Sequence, residues 1–214
     1  MPRPYSKKLS SELIVKRATH LIAVDGFTGL SMRKLAADLG VEAMSLYNYF
    51  ANKETLLDAV TDSFVADIKT PDNIEDWKED LWACMTVFRA TALESPNVVA
   101  MLLSRRGLGT NMLHLVDRFL SIMLRAGFST EKAVLAARLL MIHLSGTLLR
   151  EVEQRAAANQ SEIDRRSEQL RKSGFKSVSE SAEFLSIPTG EEEFKIGLGL
   201  IIDKISDWAT VKTH

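Results

Sequence analysis

The chain has 214 residues, of which 46% are hydrophobic and 26% charged, and its formal net charge at pH 7 is −1. This is the composition of a folded globular protein with ample apolar material for a core, and it excludes the disordered and fibrous classes. The single cysteine, Cys84, excludes an internal disulfide framework and fits a reducing compartment.

The opening part of the chain is basic. Its first residues, MPRPYSKKLSSELI, lack the apolar run of a signal peptide, so we expect a cytoplasmic protein. Residues 1–53 hold eight basic and four acidic residues, a net charge of +4, which leaves 19 basic and 24 acidic residues, a net charge of −5, for the rest. A basic module on a neutral or acidic body is the charge pattern of a nucleic-acid-binding protein.

Three short helices are predicted within the first 50 residues. Apolar residues recur at i, i+4, i+7 and i+8 over residues 11–25, and Gly26 ends that helix. Ser31 is a good N-cap for the second helix, and Gly40 ends it in a left-handed conformation that glycine adopts without steric cost. The third helix is predicted over residues 42–50. A helix, a glycine-containing turn and a second helix form the helix-turn-helix signature, in which the second helix enters the DNA major groove.

The third helix has an unusual exposed face once Val41, Leu46 and Phe50 are assigned to the core. A solvated face normally carries Glu and Lys, whereas this one carries tyrosines, an asparagine and small residues, namely Ala43, Met44, Ser45, Tyr47, Asn48 and Tyr49. Hydroxyl and amide side chains suit phosphate oxygens and base edges. The same face also fits an ordinary helical hairpin whose tyrosines pack on a neighbour.

Every later stretch has a helical pattern, with no strand-like alternation and no repeat. Asn52 is the N-cap of a fourth helix, over residues 52–69. Further helices are predicted over residues 74–95, 97–106, 110–126, 129–158 and 191–212. The Ser-rich, charged residues 159–190 indicate an excursion that is partly helical and partly mobile. We therefore predict an all-α fold, with a three-helix DNA-binding domain over residues 1–52 and a helical bundle over residues 53–214.

Two later helices are markedly apolar. The run over residues 133–149 contains Arg138 and His143, so it falls short of a membrane span and fits a buried bundle helix. In the last helix, apolar residues recur at spacings of 4, 3, 4 and 3, which is the seam of a helix that pairs with another helix. The seam consists of Phe194, Leu198, Ile201, Ile205 and Trp208. We expect it to be buried between two subunits.

Methionine and aromatic residues in the body predict a cavity for an apolar small molecule. The candidate lining residues are Trp82, Met85, Phe88, Met101, Leu102, His114, Leu140, Met141 and His143. Arg105, before Gly107, either meets an anionic effector or lies at a solvated helix end. The apolar residues of this set fit a solid core equally well.

The sequence gives no indication of an enzyme, a metal site or a cofactor. The patterns GxGxxG, GxxxxGK[ST], HExxH and GxSxG do not occur. Two Ser-x-x-Lys sequences, which begin at Ser31 and Ser129, match a short acylase motif, but both serines are better explained as helix N-caps.

With these elements in place, the chain resembles the tetracycline-repressor (TetR) family of bacterial transcriptional regulators. The match covers about residues 11–60 and includes Gly-Phe before the second helix, Leu-Gly-Val in the turn, Leu-Tyr-x-Tyr-Phe in the third helix and Asn-Lys-Glu-x-Leu-Leu after it. Trp77 and the Gly-Phe-Ser that begins at Gly127 look like the tetracycline-repressor branch. The resemblance implies a homodimeric repressor that binds a near-palindromic operator and is released by a small effector. The alternative is an activator, or a regulator that is controlled by a protein partner.

The resemblance also implies roles for individual residues. Phosphate contacts are expected from Ser31, Tyr47, Tyr49 and Lys53, and base contacts from Arg33, Ala43, Met44, Ser45 and Asn48. Leu102 and Arg150 stand where tetracycline repressors keep the His and Glu that engage the magnesium of the drug. Neither suits magnesium, which needs oxygen ligands or water. We therefore expect an apolar or amphipathic effector in place of tetracycline.

Overall fold

A computed structural model describes residues 9–209 of the chain, apart from residues 73, 105–108 and 158. Within this part every regular element is helical, which confirms the all-α prediction. The predicted effector residue Arg105 lies outside the described residues. The helices are α1 Ser11–Asp25, α2 Met32–Leu39, α3 Ala43–Tyr47, α4 Lys53–Ala66, α5 Trp77–Glu94, α6 Pro96–Ser104, α7 Thr110–Arg125, α8 Thr130–Ala157, α9 Gln160–Arg171, α10 Lys176–Glu180, α11 Ala182–Ser186 and α12 Gly190–Ile205, with a 3₁₀ turn Ser206–Trp208 after α12.

The chain forms two compact units, Met1–Arg125 and Ala126–His214. The first contains α1 to α7 and the second α8 to α12. Helix α4 packs on α1 at one side and on α7 at another, so it joins the first three helices to the rest of the first unit. The sequence-based boundary between residues 52 and 53 lies inside this unit and stays a prediction about the DNA-binding part.

Local capping signals set the ends of the N-terminal helices. The hydroxyl of Ser31 accepts a hydrogen bond from the amide of Lys34 at 3.2 Å, and Gly40 ends α2 with φ +68°. Asn52 and Thr55 form a reciprocal capping box at the start of α4, with 2.9 Å between the Thr55 amide and the Asn52 side chain. These signals are local in sequence, which is why the boundaries were predictable.

Several segments differ from the sequence-based prediction, and the last helix, α12, ends at Ile205 instead of residue 212. Helix α3 covers Ala43–Tyr47 and is shorter than the predicted residues 42–50, and α4 ends at Ala66 instead of residue 69. The excursion over residues 159–190 is partly helical, as predicted, and contains three helices, α9 to α11, with α9 packed on α11. Its polar composition conceals this order, because α10 and α11 have five residues each and show no clear apolar period.

Helix α8, Thr130–Ala157, agrees with the apolar helix predicted over residues 129–158. Among the described residues, Thr130–Val152 is long and apolar enough to cross a membrane by length and composition alone. One of its faces is buried, however, because α8 packs along α12 within the second unit. Ala133 and Ala136 on that face are fully buried. The apolar character of α8 is therefore explained in part by its packing against α12.

The α8–α12 pair makes close contact at His143. The ring of His143 stacks on Phe194 with 5.9 Å between centroids, and its Nε2 lies 2.9 Å from the Phe194 carbonyl oxygen. A Cβ added at Gly197 would lie 2.2 Å from Cε1 of the His143 ring. A larger residue at Gly197 therefore cannot be accommodated unless this ring moves.

We predict that Gly197→Ala destabilises the protein by about 1–3 kcal/mol, because it overpacks the helix contact. In a His143→Ala background the same substitution should be neutral or stabilising, since alanine is the better helix former. Urea unfolding of the two single variants and the double variant measures this coupling. Equal effects of Gly197→Ala in both backgrounds would contradict the contact.

Candidate functional site

The turn between α2 and α3 is held by backbone hydrogen bonds and a small core. The amide of Val41 donates to the Ala36 carbonyl at 3.0 Å, and that of Gly40 to the Ala37 carbonyl at 3.2 Å. Leu46 of α3 is fully buried, and Phe50 is 9% exposed. This core fixes which side of α3 faces solvent.

The solvent side of α3 carries the residues that the sequence predicted. Met44 is 74% exposed, Tyr47 is 45% exposed, and Asn48 is also exposed. Their spacing of i, i+3 and i+4 places them on one side of the helix. Ala43 and Ser45 are half-buried beside them. The result is an exposed surface with little charge, which suits contacts to base edges.

Four further predicted contact residues lie on the flanking elements. Ser31 and Arg33 are exposed at the start of α2. The Tyr49 hydroxyl donates to the Leu9 carbonyl at 2.7 Å, so it is committed as a donor and offers DNA only its acceptor capacity. Lys53 donates to the Phe27 carbonyl at 3.2 Å, which positions its ammonium group and leaves two of its three hydrogens for a phosphate.

Helices α1 and α2 are joined by surface ion pairs that the sequence analysis did not identify. Arg17 donates to both carboxylate oxygens of Asp38, at 2.6 and 2.7 Å, and Lys34 pairs with Asp25 at 2.9 Å. The hydrogen bonds from Arg17 hold the pKa of Asp38 below its usual range. Two of the basic residues of the N-terminal region are thus neutralised within the protein.

A pocket of about 250 Å³ lies between the C-terminal end of α4 and α7. Its lining residues are Val65, Ala66, Ile68, Lys69, Thr70, Asn111, His114, Leu115 and Arg118. His114 is the predicted effector residue that lies here. Lys69, Asn111 and Arg118 were missed, because no local motif connects side chains that are 42 to 49 positions apart in the sequence.

The other predicted effector residues are distributed over both units. Met85, Phe88, Met101 and Leu102 are buried, with Trp82 half-buried, in the first unit. The second unit contains buried Leu140 together with half-buried Met141 and His143, whose ring is engaged by Phe194. A shared cavity for this set stays a prediction.

A buried ion cluster borders the α4–α7 pocket. Asp80 of α5 is fully buried, and its Oδ1 lies 2.5 Å from Nη2 of Arg118 and its Oδ2 3.3 Å from Nη2 of Arg125. Arg118 also donates to the Pro71 carbonyl at 3.1 Å. Burial, the main cause, raises the pKa of the neighbouring Cys84 thiol to about 11, which makes this cysteine a poor nucleophile.

The predicted subunit seam is corrected for three of its five residues. Phe194, Leu198 and Ile205 are buried inside the single chain, and the ring of Phe194 stacks on His143 of α8. Ile201 and Trp208 are half-buried. The heptad spacing correctly indicated a helix pair, but the helix that packs along α12 is α8 of the same chain.

The opposite face of the helix pair is apolar and exposed. On α8 the exposed residues Leu135, Leu139, Ile142, Gly146 and Leu149 recur at spacings of 4, 3, 4 and 3, and Ile196 and Leu200 are exposed on α12. Ile142 is 68% exposed and Leu200 67%. We call these seven residues the α8–α12 stripe. Exposed apolar residues in this number on two paired helices are typical of a surface that another protein covers.

The described residues contain no group of three or more His, Cys, Asp or Glu side chains that could hold a metal ion.

An exposed, weakly charged α3 in a helix-turn-helix, joined to a helical body, defines a DNA-binding transcriptional regulator. Residues 14–60 match the family model described as bacterial regulatory proteins, tetR family, and residues 70–207 match that of the tetracyclin repressor-like C-terminal domain. The chain belongs to the TetR family, as the sequence motifs predicted.

Named relatives agree with this assignment. An HTH-type transcriptional regulator of Saccharopolyspora erythraea is 29% identical over 65% of this chain, and the alignment spans 60% of that protein. The class A tetracycline repressor of Escherichia coli is 31% identical over 67% of this chain and 68% of its own length. In fold, the chain matches the Streptomyces coelicolor TetR family protein ActR in complex with actinorhodin, with TM-score 0.84, 23% identity and coverage of 94% of this chain and 98% of that one. The two relatives are named as transcriptional regulators, a non-enzymatic class.

Proposed function

We propose that the chain is a repressor that binds a near-palindromic operator as a homodimer and leaves it when a small apolar or amphipathic molecule binds. The observation that carries this proposal is the exposed surface of Met44, Tyr47 and Asn48 on α3. Two subunits reach half-sites that are one helical turn apart, about 34–36 Å along B-DNA. Repression by relatives such as the class A tetracycline repressor supports this reading.

The homodimer is proposed to form through the α8–α12 stripe. The stripe on α8 has the 4, 3 spacing of a helix that packs against another helix, and Gly146 within it permits close approach. Two copies of an α8–α12 pair that meet face to face form a four-helix bundle with an isologous interface. The sequence pattern placed the second subunit against the α12 seam. We place it against the α8–α12 stripe instead.

Helix α4 is proposed to transmit effector binding to the DNA-reading surface. Its first residue is Lys53, and Val65 and Ala66 near its last turn line the pocket. Asp62 between them accepts hydrogen bonds from the backbone amide of Asn111 at 2.9 Å and from its side-chain amide at 3.0 Å, which joins α4 to α7. A ligand shifts the equilibrium only by its differential affinity for two arrangements, so operator DNA must weaken effector binding by the same factor.

The phosphate role is tested with Lys53→Ala. The variant should bind all DNA sequences more weakly by a similar factor, and the log–log salt slope should fall by about 1, because one phosphate contact is lost. Fluorescence anisotropy with duplexes selected from a random pool provides both values. Lys172→Ala, an exposed lysine of α9 that pairs with Glu168, is the matched control and should leave the slope unchanged.

The base-reading role is tested with Asn48→Ala. The loss should be about 1–3 kcal/mol on the selected duplex and should relax sequence preference at one base pair without a change in salt slope. A repeat selection with the variant identifies that position. If Lys53→Ala and Asn48→Ala both bind the selected duplex as the parent does, α3 is not the reading element.

A further inference from the structure

Arg118, which lines the α4–α7 pocket, has a guanidinium nitrogen without an acceptor in the described part of the chain. Nη1 of Arg118 is buried and has no hydrogen-bond partner among the described residues, while Nη2 of the same group contacts Asp80 and the Pro71 carbonyl. A buried charged donor without an acceptor is costly, and such groups are normally satisfied by a ligand, an ion or an ordered water.

The charge around this nitrogen is unbalanced. Asp80 is the carboxylate shared by Arg118 and Arg125, so the three side chains sum to one net positive charge. Lys69 and His114 line the same pocket and add further donors, whereas the side-chain amide of Asn111, which also lines it, already donates to Asp62. The carbonyl of Ala66 accepts one hydrogen bond from Lys69 at 2.5 Å, which holds the ammonium group at the end of α4. The pocket therefore has the electrostatics of an anion site.

The remaining wall is apolar. Val65 and Leu115 also line the pocket, and both are buried. The volume of about 250 Å³ is below the roughly 300–1,000 Å³ of pockets for drug-sized ligands, so it suits a small molecule. An inorganic anion would leave the apolar wall without contacts, whereas an organic acid would use both parts.

We propose that this pocket binds a small organic monocarboxylate, whose carboxylate accepts from the guanidinium group of Arg118 and whose apolar part lies against Val65 and Leu115. Such a ligand would be the effector of the proposed function, and only its effect on DNA binding rests on that function. Arginine suits the role because its planar group can hold Asp80 through one nitrogen and the ligand through the other.

The first test compares isosteric probes. Isothermal titration calorimetry of the full chain with benzoate and hexanoate should give saturable binding, and benzamide and hexanamide should bind about tenfold more weakly or worse, because they lack the charge. Inorganic phosphate and acetate should be weaker than hexanoate. Equal affinity of acid and amide, absence of saturable binding by both acids, or phosphate binding as tight as hexanoate would overturn the proposal.

The second test assigns the binding to Arg118. Arg118→Lys retains a cation beside Asp80 and removes the second nitrogen, so carboxylate affinity should fall about tenfold or more. Arg125→Lys is the matched control, since Arg125 contacts the same carboxylate but does not line the pocket. Ala66→Phe fills the pocket and leaves both arginines in place, and it should abolish binding. If Arg118→Lys does not fold, Ala66→Phe still tests whether the carboxylate binds in this pocket. Parent-like affinity in Ala66→Phe or in folded Arg118→Lys would refute the site.

The two proposals fail separately. Fluorescence anisotropy with the selected duplex, with and without benzoate or hexanoate, measures whether carboxylate binding changes the affinity for DNA. A protein that binds the duplex but neither carboxylate refutes the pocket and leaves the DNA-binding regulator intact. Carboxylate binding that leaves duplex affinity unchanged supports the pocket and refutes regulation through it.

Discussion

Replacement of Asp80 by alanine should lower the free energy of unfolding by about 3–5 kcal/mol, the usual loss when one partner of a buried ion pair is removed. Asp80 is fully buried and is the carboxylate that both Arg118 and Arg125 contact. Arg118 is 16% exposed and Arg125 49%, so water can relieve much of the charge on Arg125 but little of that on Arg118. We expect the lower half of that range for this reason.

Urea unfolding measures this loss. Asp117→Ala is the matched control, because Asp117 is an exposed acid on the same helix as Arg118 and should change the free energy of unfolding by less than about 0.5 kcal/mol. Asp80→Asn should fall between the two, since it retains an acceptor and loses the charge. A loss below about 1 kcal/mol for Asp80→Ala would mean that the arginines do not depend on this carboxylate.

Ile142→Glu should convert the protein to monomers and abolish tight operator binding. Ile142 and Leu200 are the most exposed residues of the α8–α12 stripe, and a carboxylate buried at a dimer interface without a partner is strongly unfavourable. The affinity for operator DNA should fall sharply as well, because only a dimer can bind both half-sites at once. The residue is exposed in the single chain, so the monomer should still fold.

Sedimentation velocity and circular dichroism separate these effects. Gln169→Glu, which adds the same charge at an exposed position of α9, is the matched control and should remain dimeric. Leu200→Glu should repeat the result from α12. A stable dimer in both Ile142→Glu and Leu200→Glu would exclude the stripe as the subunit interface.

Signals within a few residues of one another predicted most of the N-terminal fold. Ser31, Gly40 and Asn52 act on their own helix ends, so their sequence positions alone specify the boundaries. The α12 seam was harder, because a heptad pattern states that a helix pairs but not with which helix. Leu198 is buried by its own chain, and this could not be decided before α8 was placed.

The pocket and the ion cluster were beyond sequence reasoning for a different reason. Asp80 is 38 and 45 positions away from its two arginines in the sequence. The sequence pattern of α5 does not distinguish Asp80 from the other residues of that helix. Only tertiary packing reveals that a charge is buried there and that Arg118 has a nitrogen left over. His114 was identified because it is a polar residue in an apolar helix. Lys69, which follows the end of α4, has no comparable signal in the sequence.

The contact of Asp62 with α7 restricts how α4 can move. Its Oδ1 accepts from the backbone amides of Asn111 and Met112, so a residue of α4 caps the first turn of a different helix. A Cβ at Gly109 would lie 2.1 Å from that same Oδ1, so the carboxylate fills the space where any other side chain would begin. Displacement of α4 alone would break these hydrogen bonds, so we expect α4 and α7 to move together. In the proposed regulation, a shift of Arg118 on α7 would then reach Lys53 at the start of α4 through this contact.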